Sequence, residues 1–157
     1  MHSRIIGLRE LNQTKEDFEL IASDYLDYES LLRYDIDYCD EISVDDAVMI
    51  LTRRYNNVKF NSITNQITIT LDSTIKEINK TIESINKFMS ENKPVNNFVN
   101  HIWDIQNLVQ PEHPKVLCSY CGLVDFLDFT ISIYRRMNLD KITEITFIVE
   151  KCYDYHF

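Results

Sequence analysis

Residues Val116 to Met137, VLCSYCGLVDFLDFTISIYRRM, are the stretch whose reading decides the fold. As a helix rising about 1.5 Å per residue they span roughly 33 Å, the width of a compact domain of this length. Leu117, Tyr120, Val124, Leu127, Ile131 and Tyr134 fall on one stripe, with Val116, Leu123, Phe126, Ile133 and Met137 beside it. A helix apolar nearly all round is a buried helix wrapped by others. Asp125 and Asp128 at its centre argue against a bilayer span, where ionised groups are costly. The reading is a soluble core helix, with Leu123, Phe126 and Leu127 as its least accessible side chains.

The flanking segments give the same period. Thr14 with Glu16 and Asp17 predicts a capped helix over about 15–27, with Phe18, Ile21, Ala22 and Tyr25 on one face. Ser43, followed by Asp45 and Asp46, opens a second helix on the stripe Val44, Val48, Leu51 and Tyr55. Ile67, Ile69 and Leu71 alternate as in a strand, yet Ile63, Ile67, Leu71, Ile75, Ile78, Ile82, Ile85 and Met89 keep helical spacing. A lone strand has no partner, so 63–90 reads as helix, broken near Asp72 and Ser73. Lys93-Pro94 opens a helix to about 110, and Ile142, Ile145, Ile148, Val149 and Cys152 stripe a last one over 140–154. The expected fold is therefore all-α: one domain over 1–157, with six or seven helices around 116–137.

Composition narrows the function. The 157 residues are 45% hydrophobic with two glycines and three prolines, enough for one core. Twenty isoleucines against two alanines resemble the codon bias of an AT-rich genome. No signal peptide or apolar span is apparent, and four scattered cysteines make no disulfide scaffold, so an intracellular protein with reduced thiols is expected. The net charge is -9, and 24–46 carries -8 of it, nine acids against Arg33 alone. Without a basic stripe, nucleic acid and anionic membrane are poor partners. The same acidic segment holds Tyr25, Tyr28, Tyr34 and Tyr38, a residue type enriched at protein interfaces. It reads first as a solvated acidic linker whose tyrosines partly pack on the domain, and second as a partner site with these four as the candidate binding residues.

Few residues point to chemistry. Cys118-Ser119-Tyr120-Cys121 is a C-x-x-C without a second pair to complete a zinc site, and without the βαβ context of a thioredoxin-like dithiol. It reads as two buried thiols. His101 and His113 lack a nucleophile beside them, Asp125 and Asp128 lack the E-x-x-H motifs of carboxylate metal bundles, and Gly7 and Gly122 cannot make a phosphate loop. No catalytic residue, cofactor or metal is expected, and the chain reads as a non-enzyme.

Four strings in order carry a family resemblance: Asp24-Tyr25-Leu26-Asp27-Tyr28-Glu29-Ser30-Leu31-Leu32, Ser43-Val44-Asp45-Asp46, Asn97-Phe98-Val99-Asn100-His101-Ile102 and Cys121-Gly122-Leu123-Val124. From about residue 24 onward the chain resembles the poxvirus Bcl-2-like immune modulators. The resemblance implies a Bcl-2-like bundle and a virulence factor in the host cell cytoplasm that binds host signalling proteins and suppresses NF-κB activation. The alternative it implies is an apoptosis inhibitor holding a pro-death helix in a groove. The Asn-Trp-Gly-Arg string of cellular Bcl-2 proteins is replaced by Glu112-His113-Pro114-Lys115, and no tail anchor follows the last helix, which favours the signalling branch. It also implies a homodimer through the helices at 44–56 and 140–154, with Arg53, Arg54 and Tyr55 at the dimer face.

Overall fold

A computed structural model describes residues 2–32, 36, 38–55, 58–91 and 114–156; within these, the side chains of His2, Tyr28, Leu32 and Tyr38 lie outside the description. The architecture is mixed α/β, which corrects the all-α expectation. In chain order the elements are β1 (His2–Glu10), α1 (Lys15–Tyr25), α2 (Tyr28–Leu32), β2 (Tyr38–Ile42), α3 (Val44–Arg54), β3 (Lys59–Asn61) and β4 (Gln66–Thr70). There follow α4 (Leu71–Glu91), β5 (Lys115–Cys118), β6 (Gly122–Asp125), α5 (Phe126–Asp140) and β7 (Glu144–His156). The expected helix at 94–110, with His101 and His113, lies outside the described residues.

The strands form one seven-stranded sheet in the order β3-β4-β7-β1-β5-β6, with β2 also paired to β7. Strand β7 is its axis. One edge of β7 takes β4 (Thr70 opposite Glu144 to Gln66 opposite Ile148) and then β2 (Ile42 opposite Cys152 to Tyr38 opposite His156), both antiparallel. The other edge takes β1, antiparallel from Glu10 opposite Phe147 to His2 opposite His156. Strand β1 in turn pairs in parallel with β5, and β5 forms a hairpin with β6.

The expected last helix at 140–154 is thus a strand. Its sequence, EITFIVEKCYDYH, carries β-branched and aromatic residues that suit a pleated surface. Ile145, Phe147 and Val149 alternate inward, and then the register slips by one residue, Ile6 facing Cys152 but Leu8 facing Val149. The extra residue of this bulge puts Val149 and Cys152 three apart on one face, which is why a helical period fitted. The stretch 116–137 is likewise divided: its first part is the β5–β6 hairpin, and the helix starts at Phe126 behind the extended N-cap Asp125. The 63–71 reading is corrected too, since Gln66–Thr70 is a strand paired on both sides and α4 begins at Leu71. Helices α1 and α3 lie where their stripes and caps place them, and Thr14 and Asp17 form a reciprocal capping box.

Apolar side chains pack on both faces of the sheet. On one side α1 sets Phe18 and Ala22, with Leu31 and Ile36, against Ile5, Leu117, Leu123 and Tyr155. On the other, α3 and α5 bring Leu51, Tyr55, Phe126, Phe129 and Ile133 onto Ile6, Leu8, Val116, Phe147 and Cys152. The sheet is therefore covered on both faces, and β5 reads as a continuous apolar run for that reason. Leu123 and Phe126 are buried as expected, whereas Leu127 is half-buried. Among the described residues no helix is long and apolar enough to cross a membrane.

The Phe126 ring lies 5.4 Å from that of Tyr55 and 6.1 Å from that of Phe129. Phe126→Ala should therefore cost about 3–5 kcal/mol through lost burial and a cavity, read as a drop in the urea midpoint. A loss under about 1 kcal/mol would contradict this packing.

Candidate dithiol site at the β5–β6 turn

Strands β5 and β6 are in register from Lys115 opposite Asp125 to Cys118 opposite Gly122, leaving Ser119, Tyr120 and Cys121 as the reversal. The open end is tied by Lys115 Nζ donating to Asp125 Oδ1 at 2.7 Å. At the turn Gly122 has φ +70°, the left-handed conformation that glycine adopts without strain at the end of a three-residue hairpin loop. This reversal brings the two sulfurs of the C-x-x-C to 2.8 Å from each other. Cys118 is fully buried, while Cys121 is half-buried.

The spacing is informative. Sulfurs sharing a tetrahedral zinc sit about 3.8 Å apart, given Zn–S bonds of about 2.3 Å. At 2.8 Å the pair is closer than that and farther apart than the ~2.05 Å of a disulfide. Among the described residues no group of three or more His, Cys, Asp or Glu side chains is placed to hold a metal. The site therefore suits sulfur–sulfur chemistry.

The two thiols share a proton unequally. The hydrogen bond from Cys121 holds the Cys118 thiol below its ordinary range; burial opposes this, and the backbone N–H groups of Cys121 and Tyr120 add to it. The Cys121 thiol is pushed up, first by that same hydrogen bond, then by burial and by the negative charges of Cys118, Asp128 and Glu10. One proton thus leaves the pair readily and the second is retained. Cys39 and Cys152 are likewise free thiols, and burial pushes Cys152 up to about 12.

Around the turn, Arg136 of α5 donates to both carboxylate oxygens of Glu10 at 2.7 Å each, tying α5 to the end of β1. Its guanidinium lies 5.0 Å from the Tyr120 ring centroid, which holds the turn residue down. Ser119 Oγ is buried without a hydrogen-bond partner, a cost of about 1–3 kcal/mol located in the turn itself.

Of the residues expected to bind partners, three lie in α1, α2 and β2. Tyr25 is half-buried against Gly122, and Tyr28 and Tyr38 lie in α2 and β2. Tyr34 lies outside the described residues. Of the expected dimer face, Tyr55 is fully buried with its hydroxyl 2.7 Å from that of Thr130. Arg54 reaches within 3.9 Å of the buried Glu77 and lies over Phe126, whereas Arg53 is exposed. Asp125 pairs with Lys115 and Asp128 is exposed in the first turn of α5. The C-x-x-C, read from sequence as two thiols in a core helix, is the constellation that the fold brings together. Its signal was the string Cys-Ser-Tyr-Cys-Gly between two short apolar runs, a hairpin reversal ending in glycine. Comparison with family models, with curated proteins and with solved structures gave no match for this chain.

The shared proton makes a test. In a background with Cys39 and Cys152 replaced by serine, ultraviolet thiolate absorbance should show one ionisation below the ordinary thiol range and one above it. Cys121→Ala removes the donor, so burial becomes the dominant influence and the Cys118 ionisation should move up; an unmoved ionisation would contradict the geometry.

Proposed function

We infer that this chain is a redox-responsive protein in which Cys118 and Cys121 form a reversible dithiol–disulfide couple, used stoichiometrically as a switch. The observation that carries the reading is the 2.8 Å separation of the two sulfurs across a constrained hairpin turn. Thiolate nucleophiles held at such a distance have a high effective concentration for one another.

The chemistry balances with an external disulfide, RS–SR, as oxidant. With Cys118 as the thiolate of the pair, the less buried Cys121 attacks one sulfur of the disulfide while its proton passes to Cys118. A mixed disulfide forms, and RS⁻ leaves and takes a proton from water. Cys118 then releases its proton and attacks the Cys121 sulfur, expelling the second thiolate. Counting the proton that Cys118 gave to water on ionising, the two protein thiols have lost two electrons and two protons, and RS–SR has become two RSH. A dithiol reductant runs the same steps in reverse.

The reading of the chain as an inhibitor of host NF-κB signalling or of apoptosis, in the host cytoplasm, took its partners from the Bcl-2-like resemblance. Of its strings, Cys121-Gly122-Leu123-Val124 is a turn and a strand instead of part of a central helix, Ser43-Val44-Asp45-Asp46 opens α3 as expected, and 97–102 lies outside the described residues. That leaves the dithiol as the better-supported proposal.

Oxidised glutathione or diamide should convert the reduced protein to a form lighter by about 2 Da, with the new bond mapped by peptide mass to Cys118–Cys121. Dithiothreitol should restore it. Persistent glutathione adducts on Cys121 with no internal bond would overturn the reading.

A further inference from the structure

We propose that Tyr25 is the positioning residue of the dithiol, holding the β5–β6 turn in the conformation from which the disulfide closes; this rests on the redox reading above. Tyr25 is the last residue of α1. A Cβ placed on Gly122 would stand 2.6 Å from the Tyr25 hydroxyl oxygen, 2.8 Å from Cζ and 3.1 Å from Cε1. The phenol end therefore occupies the space that any other residue at 122 would fill with its own side chain. Gly122 follows Cys121 directly and is the cross-strand partner of Cys118. Pressure on this one residue bears on both halves of the C-x-x-C.

The tyrosine is itself held from behind. Seven residues earlier on the same helix face, Phe18 meets Gly7 in the same way, its ring atom 2.5 Å from where a Cβ would stand. Phe18 and Ala22 are buried, and α1 is fixed at its start by the Thr14–Asp17 capping box. The chain has only two glycines, and each receives one aromatic ring of α1. The helix is thus an arm that sets a ring on the turn, and Tyr25 acts on the thiols through Gly122.

The consequence is measurable as a difference between two redox states. A clamp that holds the sulfurs close raises their effective concentration and so stabilises the disulfide over the dithiol. A substitution that weakens both states equally leaves the reduction potential unchanged; loss of a positioning residue does not. Equilibration against glutathione buffers should show the effective concentration of the pair falling tenfold or more in Tyr25→Ala, a potential less negative by about 30 mV. Tyr25→Phe, which keeps the ring against Gly122, should stay within threefold of the wild type.

Tyr25→Leu keeps apolar packing on α1 but leaves Gly122 uncovered, and it should shift like Tyr25→Ala if the alanine variant does not fold. An effective concentration within twofold of the wild type in the folded variant overturns the proposal while leaving the dithiol reading intact. Failure of the wild-type protein to form the Cys118–Cys121 bond overturns the reading itself.

Discussion

The structure depends on the backbone pairing of β7. A strand of 13 residues in the middle of a sheet has N–H and C=O groups on both edges, and each must find a partner once it is buried. Strand β1 supplies one edge, and β4 and β2 share the other, each taking one half. Every other strand reaches the sheet through these contacts: β5 and β6 through β1, and β3 through β4. The first and last elements of the chain are thereby neighbours, and the helices are set by the two faces of the sheet that this pairing creates.

The bulge in β7 links that framework to the site. Where Gly7 faces the slipped register, its missing side chain leaves room for the Lys151 carbonyl, 2.6 Å from a Cβ position, and for the Phe18 ring. Close approach of α1 at Gly7 lets the same helix reach Gly122 at its other end. Charged side chains reinforce the docking: Lys151 donates to Glu19 of α1, and Arg9 pairs with Glu150 across β1 and β7. The more exposed Lys151–Glu19 pair contributes little energy, and its worth here is in fixing the helix direction. A turn with two thiols, a buried orphan hydroxyl and a left-handed glycine is a local liability held together by its surroundings.

Much of the helical layer was legible from the sequence by itself. The Thr14 capping box, the acidic first turn after Ser43 and the stripes that follow are local signals, complete within a few residues, and they specify α1 and α3. The burial of Phe126 and the reversal at Cys-Ser-Tyr-Cys-Gly were also present in the string, although the second was read as part of a helix. What only the tertiary structure decided is the identity of 66–70, 115–125 and 144–156 as strands and the use of their residues. A strand is stabilised by a partner distant in sequence, as Ser3 is for Tyr155, and nothing local marks that partner. Burial on both faces erased the alternation of β5, and a single bulge gave β7 a helical spacing. Likewise the chain showed a C-x-x-C and, far from it, a tyrosine; the hairpin reversal sets the sulfurs 2.8 Å apart, and the sheet places α1 with Tyr25 across that turn.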